Sequence, residues 1–231
     1  MTEPYIELSE KLLHYDEQYL FTRSGIRPSD VGNCIRQTWY KYTNTPPDPN
    51  QVSLYYKDKF IMGLGNLYEQ YFMDLFSKLG IPYQKIRVSN KELGISGETD
   101  PVITINNEKI LAEMKLTHDT HYMYLYNDAK RGVVPESYNS QIQTYLWLLP
   151  EVKEGWLFIG NRSWRRNSPL PPFFIQPVQR DENWKKINFG ARLPLLNSHL
   201  LDNTIPDREY SDVNLFPCSY CPYKERCYAK E

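Results

Sequence analysis

Residues 96–116 read SGETDPVITINNEKILAEMKL, and the pattern is that of a β-hairpin. Asparagine tolerates the left-handed backbone of a tight turn, so Asn106-Asn107 predicts a two-residue turn between strands over 95–105 and 109–116. Pairing Ile105 with Glu108 and counting outward places Asp100 opposite Glu113. Opposed side chains share a face, with Cβ atoms about 4.5–5.5 Å apart. Lys115 lies two residues beyond Glu113 and projects from that same face. The other face carries Ile103, Ile105, Ile110, Ala112, Met114 and Leu116 and is the side expected to pack on the core.

Two carboxylates held this close repel, and either a proton or a cation relieves the repulsion. Oxygen ligands without sulfur favour Mg²⁺ or Mn²⁺. Such an ion polarises a phosphate and makes a nucleophile of water at neutral pH. Lys115 would hold that water or offset charge on the phosphorane-like transition state. The chemistry suits phosphodiester hydrolysis. The same residues also read as a solvated hairpin face whose ion pairs add little stability.

Outward from the hairpin, Phe60, Leu64, Leu67, Tyr71, Leu75 and Leu79 recur three or four apart and predict an amphipathic helix over 53–79, with Glu69 off the stripe. A strand is expected over 83–88. After the hairpin come a helix over 137–149, strands over 155–159 and 173–178, and a long helix over 181–201. Upstream, Ser29 or Asp30 is the expected N-cap of a short helix in which Val31, Ile35 and Trp39 fall at helical spacing and which contains Cys34. The loop TNTPPDPNQ (43–51) breaks that helix from the next. This order predicts an α/β or α+β protein with a mixed sheet.

A chain of 231 residues with 41% hydrophobic residues suffices for one substantial core, so a single domain over 1–231 is expected. The net charge of −1 leaves any nucleic-acid contact to local basic patches. One such patch is Arg162, Arg165 and Arg166 around Trp164, which suits either gripping and stacking on a strand or a solvated loop. The start MTEPYIELSEK has neither the basic opening nor the apolar run of a secretory signal, and no apolar run reaches the roughly 20 residues of a membrane helix. A cytoplasmic protein without membrane contact is expected, or one in the host cytoplasm if viral.

In a reducing compartment, cysteines are better read as ligands, catalytic groups or core fillers than as disulfides. Cys218, Cys221 and Cys227 form C-x2-C-x5-C, and Cys34 is the one other cysteine. Four thiolates close a site for zinc or an iron–sulfur cluster, and ligand count does not separate the two. Binding would staple the two ends of the chain.

Gly97-x-x-Asp100, Glu113-x-Lys115 and Gln141-x-x-x-Tyr145, in this order, resemble the RecB-type signature of the PD-(D/E)xK nuclease superfamily. One cysteine before that core and three after it resemble the iron–sulfur exonucleases of the fourth CRISPR-associated (Cas) family and related AddB-type domains. The resemblance implies a restriction-endonuclease-like α/β core over about 53–178, with cluster-binding elements over about 25–45 and 205–231. It implies that Asp100, Glu113 and the Met114 carbonyl hold Mg²⁺ or Mn²⁺, that Lys115 is the catalytic lysine, and that Gln141 and Tyr145 contact DNA or brace the site. Many relatives place a histidine where this chain has Glu69, so Glu69 becomes a candidate ligand, with a surface glutamate as the other reading.

It further implies a [4Fe–4S] cluster on Cys34, Cys218, Cys221 and Cys227, with zinc as the alternative. The activity it implies is 5′ to 3′ exonuclease action on single-stranded DNA, with antiviral defence as a role and a helicase, integrase or recombination protein as a partner. His118 and His121 are read as structural or exposed. The rival readings are a non-catalytic DNA-binding adaptor and a zinc-stabilised structural domain.

Overall fold

Asn106 and Asn107 both take positive φ, 51° and 64°, and the turn closes where the sequence places it. The ladder runs from Ile105 opposite Glu108 to Val102 opposite Leu111. The structure, a computed structural model, describes residues 25–49 and 52–229, with the first turns of the long helix described by backbone alone. The reading of the opening residues 1–11 lies outside them.

In chain order the elements are α1 (Ile35–Tyr42), α2 (Val52–Lys78), β1 (Tyr83–Gln84), β2 (Arg87–Asn90), β3 (Ile95–Glu98), β4 (Val102–Ile105) and β5 (Glu108–Thr117). They continue with α3 (Asp119–Lys130), α4 (Glu136–Leu148), β6 (Val152–Asn161), β7 (Phe173–Val178), α5 (Glu182–Ile187), α6 (Leu193–Asp202) and α7 (Lys224–Tyr228). The main sheet has the order β1-β4-β5-β6-β7, and β2 pairs with β3 apart from it. β5 and β6 run parallel while the other neighbours are antiparallel. This is an α/β fold with a central mixed sheet flanked by helices.

Both sheet faces are buried, unlike the one-sided hairpin the alternation suggested. On one face Val102, Leu111, Leu157 and Ile159 meet Tyr122 and Leu125 of α3 and Ile142 and Leu146 of α4. On the other, Ile103, Ile110, Ala112, Met114 and Phe158 meet Phe72 and Phe76 of α2. Each buried Val, Leu, Ile, Met or Phe among them contributes about 1.5–3 kcal/mol of transfer free energy. The reading of a solvated face is corrected, because α4 lies across Glu113, which has no exposed surface.

Several expectations shift. The buried side of α2 is Tyr68, Phe72 and Phe76, while Leu67, Tyr71 and Leu79 are exposed. An aromatic-rich helix carries two adjacent apolar stripes, and Phe158 selects the one that fits it by edge contacts to Phe72 and Phe76. Residues 83–88 divide between β1 and β2, and 95–105 between β3 and β4. Neither Ser29 nor Asp30 caps a helix: Cys34 occupies the N-cap of α1, just outside the helix expected to contain it. Asp30 is buried and accepts from the Tyr42 hydroxyl at 2.8 Å. The helix over 181–201 forms as α5 and α6 joined through a π turn at Asn188–Arg192. Helix α3 lies in a stretch whose periodicity gave no element. Among the described residues no helix is long and apolar enough to cross a membrane.

Candidate active site

The break between β3 and β4 positions the first acidic residue. The Thr99 hydroxyl accepts from Ile86 N–H and Thr99 N–H donates to Ile86 O, both at 2.9 Å. Pro101 has no N–H to continue a ladder. Asp100 therefore leaves the strand, and its Oδ2 accepts from Met114 N–H at 2.8 Å. The register of the hairpin continues through Ala112 N–H to Pro101 O at 2.8 Å, and beyond it the Asp100 carboxylate takes the place of the next ladder acceptor at the edge of β5. A strand residue aims its N–H and C=O to the same side, so the Met114 carbonyl also faces the edge β4 has vacated. Gly97 of the same segment needs its missing side chain, since a Cβ there would stand 2.7 Å from Pro28 Cδ.

Glu113 is fully buried, and its Oε1 accepts from Lys115 Nζ at 2.5 Å. No hydrogen-bond donor among the described residues reaches its Oε2. Lys115 also donates to Gln141 Oε1 at 3.0 Å and lies 5.6 Å from the centre of the Tyr138 ring. The Tyr145 hydroxyl donates to Glu98 O at 2.6 Å, tying α4 to the segment that carries Asp100. Gln141 and Tyr145 thus sit on the site side of α4, with Tyr145 buried.

Glu69 reaches the same locality from α2 and pairs at 2.8 Å with Lys85, in the link between β1 and β2. Lys85 was missed because a lone lysine within the strand expected over 83–88 carries no motif. His118 and His121 are exposed at the N-terminus of α3.

Burial, then the charge of Glu113, pushes the Asp100 carboxyl up to about 7. Burial also raises Glu69, against the hydrogen bond from Lys85. For Lys115, burial opposes the ammonium, but Glu113 and Asp100 outweigh it and hold the pKa above the ordinary lysine range. The site is a crowd of carboxylates with less positive charge than it can use.

The residues fit a divalent cation on one direct observation: a carboxylate oxygen buried without a donor costs several kcal/mol unless a charge meets it. Among the described residues no three His, Cys, Asp or Glu side chains form a finished metal cage. Mg²⁺ is commonly held by one or two carboxylates, with water and phosphate completing its shell.

Solved structures match this geometry, two of them as follows. The crystal structure of SSO0001 matches at TM-score 0.55 and 16% identity, over 98% of this chain and 97% of that one. An alkaline exonuclease, LHK-Exo from Laribacter hongkongensis, matches at TM-score 0.50 and 12% identity, over 78% of this chain and 89% of that one. The chain shares their fold. No protein-family model matches the sequence, nor does any curated protein.

The second locality gathers the cysteines. Cys34, Cys218, Cys221 and Cys227 line one cavity and form no disulfide. Burial pushes the Cys34 thiol up to about 11 and raises Cys221 and Cys227 as well. Two carboxylates tie together the segments that carry them. Glu209 Oε2 accepts from Ile35 N–H at 2.8 Å and its Oε1 pairs with Arg192 at 2.5 Å. Asp48 Oδ2 accepts from Glu225 N–H at 2.6 Å, and Asp48 N–H donates to Pro222 O at 2.8 Å. Sequence reasoning missed both carboxylates, Asp48 because a proline-rich loop reads only as a breaker. The four thiols share this cavity without forming a finished metal cage.

Proposed function

We infer that the chain is a metal-dependent DNA nuclease. The observation that carries this reading is the buried Glu113, one oxygen on Lys115 and the other without a donor, beside an Asp100 that shares its strand edge. The fold shared with an alkaline exonuclease supports it. In the finer reading the enzyme removes nucleotides from single-stranded DNA ends, 5′ to 3′, and carries a structural [4Fe–4S] cluster on Cys34, Cys218, Cys221 and Cys227.

Asp100, Glu113 and the Met114 carbonyl would hold Mg²⁺ or Mn²⁺, with Glu69 as a further ligand. The ion supplies polarisation of the phosphate and a lowered pKa for the attacking water. Lys115, positively charged and fixed between Glu113 and Gln141, orients the nucleophile and offsets negative charge growing on the phosphoryl oxygens. Gln141 holds the lysine, and Tyr145 holds the strand end that aims Asp100. Lys85 opposes the effect of burial on the Glu69 carboxylate.

The test is cleavage of end-labelled single-stranded DNA by anaerobically purified protein with Mn²⁺. Asp100→Asn and Lys115→Ala are each expected to lose about 100-fold or more. A folded wild type that cleaves no DNA with either ion defeats the reading. Visible absorbance and iron analysis of the same preparation test the cluster, and zinc without iron overturns that part.

A further inference from the structure

We propose that the loop over 162–172, between β6 and β7, is a binding platform for single-stranded DNA, with Arg162, Arg165 and Arg166 meeting phosphates and Trp164 stacking on an unpaired base. This deepens the nuclease reading and rests on it for its place in the reaction. Antiparallel neighbours need only about 2–5 residues to turn, and this connection is more than twice as long. It is also ordered. Asn161 N–H donates to Pro172 O at 2.9 Å, Ser168 N–H to Arg165 O at 2.8 Å, and the Trp164 indole N–H to Leu170 O at 2.9 Å. The Tyr122 hydroxyl, from a ring buried in the main core, donates to Pro171 O at 2.7 Å. A loop fixed in this way presents its side chains without a large ordering cost on binding.

What it presents is one-signed. The stretch 155–172 contains no Asp or Glu and three arginines, in a chain of net charge −1. All three arginines are exposed, and among the described residues no carboxylate pairs with them. Between them the Trp164 ring is 40% exposed although its N–H is anchored, which leaves a ring surface for stacking. Duplex DNA hides its base faces, so an exposed ring between arginines fits a single strand.

The position also fits. Arg162 N–H donates to Thr117 O at 2.8 Å, and Thr117 ends the strand that carries Lys115. At about 3.3 Å per residue, the loop root lies about 7 Å along β5 from the lysine. A strand lying on the loop would run to the site within a few nucleotides.

The experiment measures binding of a fluorescent oligothymidylate in chelator, where no cleavage occurs, across a salt series. Trp164→Ala is expected to weaken binding about 5- to 100-fold, with Trp164→Phe retaining most of it. Replacing all three arginines by alanine should lower the slope of log affinity against log salt by about 2. Hydrolysis of bis(p-nitrophenyl) phosphate with Mn²⁺, a diester too small to reach the loop, should be unchanged in these variants while cleavage of single-stranded DNA falls. Unchanged affinity and slope in the folded variants overturn the platform. So does a Trp164→Ala loss equally large on blunt duplex. A wild type that binds through the loop but hydrolyses neither substrate would instead defeat the nuclease reading and leave the platform standing.

Discussion

The Tyr145 hydroxyl donates to the backbone oxygen of Glu98 at 2.6 Å across 47 positions of sequence. Helix α4 is thereby coupled to the point where β3 ends and Asp100 leaves the sheet. Tyr145→Phe keeps the ring in the core and removes this bond together with the hydroxyl's hydrogen bond to Gln141. Its expected cost is about 1 kcal/mol in chemical denaturation. If the bond aims Asp100, Mn²⁺-dependent kcat falls by up to about 100-fold with KM nearly unchanged. Wild-type kcat in the folded variant would mean that Asp100 is placed by Thr99 and Met114 alone.

Lys115 and Glu113 should behave as one unit. Lys115→Met leaves a buried carboxylate without its cation and is expected to cost about 3–5 kcal/mol in metal-free protein. The double variant Lys115→Met/Glu113→Gln should recover most of that loss while remaining inactive. Urea titrations of the four proteins read the cycle, and strict additivity would count against the pair.

Asp100 sets a pH dependence of unusual sign. Its folded pKa is about 7 against an ordinary 3.8, so between those values the folded protein binds more protons than the unfolded chain. Stability of the metal-free protein should therefore fall as pH rises from about 4 to about 7 and then level off. Asp100→Asn should flatten that window, and Mn²⁺ should stabilise the wild type most at its upper end. Thermal melts in chelator across this range are the measurement.

Gly155 lies where β6 passes under α4, and a Cβ there would stand 2.3 Å from Ile142 Cγ2. Gly155→Ala is expected to cost about 1–3 kcal/mol through overpacking. Because Ile142 is fully buried, Gly155→Ala/Ile142→Ala should be less destabilised than the sum of its parts. Denaturant midpoints of the single and double variants decide it.

Much of the fold was legible because its signals are local. Asn106-Asn107 demanded a left-handed turn, and period-two alternation then determined the β4–β5 register. Helical spacing located α4, and the 173–178 strand formed where its pattern lay. The residue types of the site were legible too: Asp100, Glu113 and Lys115 stand on adjoining segments, and counting along a hairpin needs no tertiary information. Helix α3 escaped because its many tyrosines blur the polar and apolar faces, and the buried stripe of α2 escaped because two stripes were equally apolar.

By itself the sequence determined the turn, the register, the acidic pair with its lysine and the grouping of three of the four cysteines, all consequences of backbone geometry over short spans. Only the tertiary structure decided that both sheet faces are covered, so that Glu113 is a buried charge rather than a solvated one. It alone set Lys85 against Glu69, Gln141 against Lys115 and Cys34 beside its distant partners. These pairings join segments 16 to almost 200 residues apart. Burial and charge at such distances depend on which elements pack together, and no local periodicity carries that information.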